Sequence, residues 1–459
     1  MSLSSFVADK LFVMRCRIAR PSWWRLYQTA LSHDKWSQEQ LAEFNFKMRL
    51  ETLKFAYENT PYYHDLYKTA GLEPGDVKTE EDWVRVPILT REALRENYET
   101  LQIRNLKQRG RYEQWVTGGS TGQPSKVLKD CDFASQPLNW RGSSWAGGGK
   151  VSFGENFATL MRAHPMTWKD KFRQFVVHFP QKCLYMDTSS MNDETIRRFI
   201  AEWKRYGLSS ISGYTGGIHE LAMYCLKNKI ELPPLKAVSV TSSPCDLVQR
   251  KLIHKVFQAP VFDRYVATEA HPMASQCLCQ AASDQPAMHI HSDYRHLEFV
   301  DETGLPKPVG ELGDVLVTDM GDRVFPIVRY RLGDRGRALS GKCPCGLPYP
   351  LMDTVHGRMA DYIYLEKGKL SGEGWTMNFE HCIDAVHGFQ IHQHSDKSVT
   401  LRVIINKSNP SAKDQVTHVA AKMQAQLGCY PLTVEYVDVI PHDRGKLRYI
   451  ISDVKGANA

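Results

Sequence analysis

A run of glycine and hydroxyl residues is the clearest candidate for a phosphate-binding loop. The segment 115–126 reads WVTGGSTGQPSK. Its three glycines let the backbone turn tightly and direct several N–H groups to one point, a concavity that binds phosphate oxygens. Ser120 and Thr121 add hydroxyl donors, and Lys126 adds a mobile positive charge. The spacing excludes a Walker loop, which needs Gly-Lys-Ser/Thr, and taken alone the stretch is equally compatible with a flexible surface turn.

Cysteine and histidine residues form a second candidate site. They occur as Cys277-Leu278-Cys279, His289-Ile290-His291 and Cys343-Pro344-Cys345. The turn Cys-Pro-Cys-Gly can place two thiolates on one ion, and four Cys or His ligands suit tetrahedral structural zinc. The alternative is a set of ordinary buried thiols and surface histidines. The repeated pairing favours a structural zinc ion over that alternative.

Length and composition indicate a globular protein. The 459 residues predict two or three domains, and 42% hydrophobic with 24% charged residues allow a full core. A net charge of +7 is mild for this length and does not indicate a nucleic-acid partner. The sequence shows neither an apolar stretch of membrane-spanning length nor a signal peptide's apolar segment. We therefore expect a cytoplasmic protein with no membrane partner, whose eleven cysteines are mostly free thiols or metal ligands.

Hydrophobic periodicity predicts the elements that position these residues. Residues 37–67 have helical periodicity with a break at Pro61, and Thr90 is a predicted N-cap. Alternating strand and helix patterns over 157–265 predict an α/β core with parallel strands. The predicted elements there are strand 208–211, helix 216–227, strand 235–240, helix 245–257 and strand 261–266. A small β-rich unit is expected over 296–337.

The pattern of the last hundred residues predicts a separate small α+β domain. A hairpin is predicted from strands 389–394 and 398–405, followed by a helix over 411–427 that ends at Gly428. A strand over 432–440 and the loop DRGKLRY follow. The domain boundary is expected near 358–362.

Five segments in order resemble those of the adenylate-forming superfamily of acyl-CoA ligases, most of all its phenylacetate–CoA ligase and CapK-like branch. They are TGGSTGQPSK, YVATE at 265–269, GELGDVLVTDM with PIVRYRLGD within 310–334, GRMADYI from 357, and DRGKLR around 446. The resemblance covers about 37–452. It implies an α/β fold: a large N-terminal adenylation domain, residues 1–360, with mixed sheets flanked by helices and a β-rich subdomain, and a small α+β C-terminal lid domain, residues 361–459.

The resemblance also implies roles for individual residues. The triphosphate would be held by Gly119, Ser120, Thr121, Gly122 and Lys126. The nucleoside and its phosphate would contact Tyr265, Thr268, Asp334 and Arg358. Glu269 would bind Mg²⁺, which prefers oxygen ligands that bridge to phosphates. Asp361 would be the hinge between the domains. Lys446 would contact the α-phosphate and the substrate carboxylate. The predicted catalytic residues are therefore Lys446, Glu269 and Lys126.

Two further sets of residues follow from the same resemblance. The zinc ligands that match best are Cys277, His289, Cys343 and Cys345, with Cys279 or His291 as replacements for one of them. The acyl pocket is expected near Trp140, Trp145, Tyr214 and Gly216, whose aromatic members could equally be plain core residues.

These features predict an ATP-dependent enzyme that converts a carboxylic acid, in this family an aryl or planar one, to acyl-AMP and transfers the acyl group to CoA. The alternative acceptors are an amine or a carrier protein in a biosynthetic pathway. A different class, a zinc-stabilised nucleotide-binding scaffold without catalysis, is disfavoured by the predicted catalytic residues. We expect a monomer or homodimer that uses ATP, Mg²⁺ and CoA.

Overall fold

The computed structural model describes most of the chain. The described residues are 3–116, 125–131, 135–147, 151–161, 178–188, 190–283, 285–355, 362–366, 369–371, 385–440 and 450–454, with the single positions 168, 172, 175 and 379. The chain divides into two compact units, the first formed by 1–12, 151–263 and 356–459, the second by 13–150 and 264–355. In the described ranges, we find no helix with the length and apolar character needed to cross a membrane.

The helices follow the predicted periodicity. They are α1 Leu3–Ala19, α2 Pro21–His33, α3 Gln38–Asn59, α4 Pro61–Thr69, α5 Glu80–Trp83, α6 Arg91–Glu96, α7 Ser135–Gly147, α8 Asp193–Tyr206, α9 Thr215–Lys227, α10 Leu247–Phe257, α11 Leu278–Ala281 and α12 Ala412–Leu427. Ser37 caps α3, accepting a hydrogen bond from the N–H of Gln40. Pro61 begins α4 after the break, and Thr90 caps α6 by accepting from the N–H of Ala93. The helical predictions for 37–67 and for Thr90 are confirmed.

The strands form several sheets. They are β1 Tyr112–Val116, β2 Lys126–Asp130, β3 Phe157–Met161, β4 Cys183–Asp187, β5 Ser210–Tyr214, β6 Ala237–Thr241, β7 Val261–Tyr265, β8 Ala274–Ser275, β9 Ala287–Ile290, β10 Arg295–Val300, β11 Gly313–Asp319, β12 Ile327–Gly336, β13 Ala338–Leu339, β14 Leu351–Asp353, β15 Tyr362–Tyr364, β16 Lys369–Ser371, β17 Val386–Gln393, β18 Val399–Ile405, β19 Leu432–Tyr436 and β20 Ile450–Ser452.

The first unit contains the predicted parallel core. Its strands run in the order β4-β3-β5-β6-β7, and each neighbouring pair is parallel. The order requires crossovers, and α8, α9 and α10 supply them with apolar faces that bury Trp203, Ile218 and Phe257. The backbone of β5 approaches β3 so closely that a Cβ at Gly213 would lie 2.0 Å from the carbonyl oxygen of Leu160, so only glycine fits there.

The C-terminal part of this unit is an α+β layer, as predicted. Strands β17 and β18 form the antiparallel hairpin, while β19 and β20 add to its two edges as parallel strands. Helix α12 buries Val416 and Met423 against Leu401 in one core, and it ends at Gly428, whose φ is +68°. The division of the chain into domains 1–360 and 361–459 stays a prediction.

The second unit is β-rich and helix-flanked. Strands β10, β11 and β12 form an antiparallel sheet, β1 pairs with β2 as a hairpin, and β8, β9, β13 and β14 are joined in antiparallel pairs. Its core packs Tyr63, Trp83, Phe325 and Tyr330 around these strands. An α/β fold of mixed sheets flanked by helices is confirmed.

Candidate nucleotide and metal sites

The ends of the predicted phosphate loop are held together by a hairpin. Val116 at the end of β1 pairs with Lys126 at the start of β2. The predicted loop residues Gly119, Ser120, Thr121 and Gly122 lie outside the described residues. Lys126 has an exposed side chain at the base of the loop, so its ammonium group is open to an anionic ligand.

A lysine on the same hairpin joins it to the segment that contains Glu269. Lys129 Nζ donates a hydrogen bond of 2.7 Å to the carbonyl oxygen of Glu269. The same ammonium lies 3.3 Å from Asp319 Oδ2 and 3.4 Å from Asp322 Oδ2, both of which are buried. One cation therefore connects the strand that follows the phosphate loop to the predicted Mg²⁺ ligand.

Glu269 lies at the end of a short run from Tyr265 and is only 5% exposed. Its Oε1 accepts a hydrogen bond of 3.1 Å from Tyr330 Oη, and Thr268 beside it is half-buried. Burial raises the pKa of Tyr330, as does the charge of Glu269, so the phenol stays protonated and donates. The carboxylate is thus oriented by a partner in β12, sixty-one residues along the chain.

Tyr265 and Asp334 form a second contact in the same unit. Tyr265 Oη donates a hydrogen bond of 2.8 Å to Asp334 Oδ2. The two residues predicted to contact the nucleoside are therefore brought together, although they lie in different segments of the sequence.

Arg91 at the start of α6 adds a positive charge to this group. Burial alone would lower the pKa of Arg91, but Tyr330, Glu269 and Asp334 raise it overall. Its guanidinium also donates to the carbonyl oxygen of Leu332 at 2.9 Å. Arg91 therefore adds a fixed positive charge to that of Lys129 near the two carboxylates.

His271 lies two residues after Glu269 and is neutral. Burial lowers its pKa to about 3, assisted by the charges of Arg264, Arg295 and Lys129. Its ring lies 6.3 Å from the ring of Trp115, in an edge-on arrangement. This contact places the start of the phosphate loop near the segment after Glu269.

Arg358 and Lys446, predicted to contact the nucleotide, and Asp361, the predicted hinge, lie outside the described residues. Tyr214 and Gly216, predicted for the acyl pocket, lie where β5 meets α9 in the first unit. Their roles stay predictions.

The two tryptophans predicted for the acyl pocket contact other aromatic residues in the second unit. The ring of Trp140 lies 6.1 Å from Trp23 and 5.9 Å from Tyr27. Trp145 stacks on His291 at 4.6 Å and donates from Nε1 to Asp34. These contacts are those of core residues, the alternative that the sequence left open, and an acyl-pocket role for either indole stays a prediction.

The structure brings Cys277, His289, Cys343 and Cys345 together in the second unit. One ligand atom from each lies within 4.8 Å of the others. Cys277 Sγ is 3.5 Å from Cys343 Sγ, and Cys345 Sγ is 3.3 Å from His289 Nε2. Atoms bound to one tetrahedral ion at about 2.0–2.3 Å are separated by about 3.4–3.8 Å, so the four fit a single metal ion.

Neither of the two replacement ligands belongs to this group of four. Cys279 is exposed. His291 contacts Arg141 through Nδ1 at 2.7 Å and Ser275 through Nε2 at 3.0 Å. Burial lowers the pKa of His289 to about 4, which keeps this imidazole in the neutral form that binds metals.

A buried ion pair contacts residues that lie close in sequence to the four-residue cluster. Arg141 in α7 is fully buried and paired with Asp293, which also contacts His33 Nδ1 at 2.9 Å. Burial alone would raise the pKa of Asp293, but Arg141 and His33 bring it well below its usual range. Tyr349 Oη accepts from the same guanidinium at 2.9 Å, so α2, α7 and the Cys343 segment share one polar network.

Comparison with known proteins finds relatives of low sequence identity. No profile of a known protein family matches the chain. The protein CapK of Staphylococcus aureus is 21% identical over 425 residues, covering 88% of each chain. The phenylacetate-coenzyme A ligase of Escherichia coli K12 is 25% identical over 339 residues, covering 68% of this chain and 70% of the ligase.

The chain therefore resembles the adenylate-forming superfamily, in its phenylacetate–CoA ligase and CapK-like branch. A crystal structure of 2-hydroxyisobutyryl-CoA ligase in the postadenylation state, in complex with R3-HIB-AMP, shares the fold, with a TM-score of 0.73, 18% identity and 89% coverage of both chains.

Four residues near these motifs were not found from the sequence. Arg91, Lys129, His271 and Tyr330 each contact a predicted site residue or its neighbouring segment. Tyr330 stands inside the segment PIVRYRLGD and His271 just after YVATE, so closeness to a motif was an available signal for these two. Lys129 follows the segment TGGSTGQPSK by three residues and carried the same signal, whereas Arg91 carried none.

Proposed function

We propose that the protein is an AMP-forming acid ligase that converts a carboxylic acid to acyl-AMP and transfers the acyl group to CoA. The observation that carries this proposal is the convergence of Glu269, Tyr265 and Asp334 in one unit with the hairpin that bears the phosphate loop. The names of the relatives, phenylacetate-coenzyme A ligases, support CoA as the acceptor.

In the first half-reaction a carboxylate oxygen of the acid attacks the α-phosphorus of ATP. An acyl–O–P bond forms, the bond between the α-phosphorus and the bridging oxygen breaks, and pyrophosphate leaves with the electron pair. No protein nucleophile is needed, so catalysis rests on orientation and on stabilising the negative charge that develops.

The residues of the chain divide this work. Glu269, held by Tyr330 and by Lys129 through its backbone, presents a carboxylate suited to a Mg²⁺ ion that neutralises phosphate charge. Asp334, oriented by Tyr265, would accept hydrogen bonds from the ribose hydroxyls. Lys126 would approach the phosphates from the base of the loop.

The C-terminal residues would complete the site. Lys446 would contact the α-phosphate and the carboxylate during adenylation, and Arg358 would contact the ribose or phosphate. Rotation of residues 361–459 about Asp361 would then withdraw Lys446 and admit the acceptor thiol, which attacks the acyl carbon and releases AMP.

We also propose that the four-residue cluster holds structural zinc. A set of three thiols and one neutral imidazole is typical of closed structural zinc sites. The buried Arg141–Asp293 pair beside it fits a bracing role, and adenylation needs no water activated by zinc. The cytoplasmic location and the monomeric or homodimeric state stay predictions.

Product analysis tests the acceptor. Purified protein is incubated with ATP, Mg²⁺ and a panel of aryl and aliphatic acids, with and without CoA, and AMP and acyl products are followed by mass spectrometry. We expect AMP and an acyl-CoA to accumulate together only when CoA is present.

The controls separate the alternatives. Glu269→Gln should abolish AMP release, while the exposed Glu43→Gln in α3 should not change it. Turnover with an amine or a carrier protein in place of CoA would overturn the CoA assignment but retain adenylation. No AMP with any acid would favour the nucleotide-binding scaffold.

A further inference from the structure

A second group of metal-ligating side chains lies in the C-terminal sheet, in the first unit. His392, His394 and Asp453 each offer one ligand atom, and these atoms lie within 4.8 Å of one another. This group contains none of the residues assigned to the nucleotide site or to the cysteine cluster. We propose that it binds a divalent transition-metal ion with nitrogen and oxygen ligands, of the class of Ni²⁺ or Zn²⁺.

The backbone brings the three side chains to one place. Successive side chains alternate along a strand, so His392 in β17 and His394 just after it share a face, and their ring centres are 4.3 Å apart. Strand β20 pairs in parallel with β17, with His392 opposite Ile451. The N–H of Asp453 donates to the carbonyl oxygen of Gln393 at 2.9 Å, which sets the carboxylate beside the two rings.

The opposite face of the strand is anchored. Gln393 is fully buried, and its side chain exchanges hydrogen bonds of 2.8 Å with both the N–H and the carbonyl oxygen of Tyr364. Ser452 Oγ donates to the same amide oxygen at 3.3 Å. Because Gln393 cannot rotate outward, the two histidines are held on the ligand face, and little conformational freedom is lost when an ion binds.

The polar contacts within the group suit metal ligation. His392 Nε2 lies 2.6 Å from Asp453 Oδ2, and a widening to about 3.0 Å for an octahedral ion, or about 3.4 Å for a tetrahedral one, admits an ion at about 2.1 Å from each atom. His394 Nε2 contacts Thr400 Oγ1 at 2.8 Å, which leaves Nδ1 as its ligand atom and gives the ring the outer partner that ligating histidines usually have.

One buried atom lacks a partner. His392 Nδ1 is buried and has no hydrogen-bond partner within the part of the chain that the structure describes. That nitrogen is not the one that faces Asp453, so it can carry the proton of the neutral ring while Nε2 binds the ion.

The ligand types limit the ion. Imidazole with carboxylate suits Ni²⁺, Zn²⁺ and related ions, and it contrasts with the thiolate-rich cluster of the second unit. Three protein ligands leave positions for water. The bound ion would tie β17 to the end of β20, sixty-one residues apart in sequence, and Asp453 follows the predicted catalytic Lys446 by seven residues.

Calorimetric titration tests the site. Protein first loaded with zinc at the cysteine cluster is freed of excess metal and titrated with Ni²⁺. We expect about one further equivalent to bind at micromolar concentration. His392→Gln and Asp453→Asn should each weaken this binding by at least about ten-fold, the cost of losing or misplacing one ligand. The exposed His418→Gln in α12 serves as the matched control and should bind normally.

A second measurement guards against a folding defect. Asp453→Asn keeps the size of the side chain and an acceptor oxygen, so its melting temperature without added metal should match that of the parent protein. Hydrogen exchange should slow across 450–452 when Ni²⁺ is added to the parent protein, but not when it is added to Asp453→Asn. Absence of a further equivalent, or equal binding by the parent protein and both variants, would overturn the proposal.

Discussion

Tyr265 Oη donates a hydrogen bond of 2.8 Å to Asp334 Oδ2, joining the two residues that would contact the nucleoside. The contact links the end of β7 to β12 across sixty-nine residues of chain. The bond holds Oδ2 of Asp334 in place. Because the carboxylate is planar, it also limits the positions that Oδ1 can take. The proposed hydrogen bonds from the ribose hydroxyls to Asp334 would depend on this orientation of the carboxylate.

Tyr265→Phe should weaken ATP binding without unfolding the protein. A net hydrogen bond contributes about 1 kcal/mol, so the KM for ATP should rise about five-fold, whereas kcat should change little. Steady-state kinetics at saturating acid measure this, with the exposed Tyr436→Phe as control. An unchanged KM would mean that the phenol does not orient the ribose-binding carboxylate.

Lys129→Met should destabilise the protein. The substitution keeps the length of the side chain but removes a cation from beside Asp319 and Asp322, which are both buried. Loss of one partner from a buried ion pair costs ~3–5 kcal/mol. Urea unfolding should show a decrease in the free energy of unfolding near the lower end of this range, because Arg295 still pairs with Asp319. The exposed Lys47→Met provides the comparison, and a difference below about 1 kcal/mol between the two would exclude a bracing role for Lys129.

Metal analysis should find about one zinc ion per chain in the cysteine cluster, as a single four-ligand site requires. The double variant Cys343→Ser, Cys345→Ser should lose that ion and melt at a lower temperature, since each ~1 kcal/mol shifts the melting point by about 2–4 °C in a unit of this size. Cys279→Ser changes an exposed thiol outside the cluster and should retain both the ion and the stability. Zinc-free purified protein, together with an unaltered melting point of the double variant, would refute the assignment.

Lys446→Ala should affect one half-reaction more than the other. Loss of one charge-stabilising donor costs about 10²–10³ in rate, so formation of acyl-AMP should slow by that factor. Consumption of synthetic acyl-AMP in the presence of CoA should be much less affected, because by then the C-terminal residues would have rotated away. Equal losses in both would point to a shared or structural role, and no loss would place the catalytic lysine elsewhere.

Local patterns in the sequence predicted much of the fold. The capped helices over 37–67, the alternating α/β elements of 157–265 and the hairpin before α12 all carry periodicity and turn signals within a few residues. The four cysteine-cluster residues were also recognisable, because Cys-x-Cys and His-x-His pairs are unusual enough to stand out.

The supporting contacts were not predictable in this way. Arg141 meets Asp293 after 152 residues of chain, and Lys129 meets Glu269 after 140. A single buried arginine or lysine has no local signature, since its partner is chosen by tertiary packing rather than by spacing. The sequence therefore indicated the groups that would contact ligands better than it indicated the groups that hold them in position.

Acid-dependent exchange of labelled pyrophosphate into ATP tests the central claim most directly, because it reports acyl-AMP formation without requiring an acceptor. Zinc-loaded protein with Mg²⁺ should catalyse this exchange with at least one member of a panel of aryl and aliphatic acids. The exchange should vanish when Glu269→Gln replaces the parent protein and persist with the exposed Glu43→Gln. Folded parent protein that gives no exchange with any acid, or an undiminished exchange by Glu269→Gln, would contradict the account.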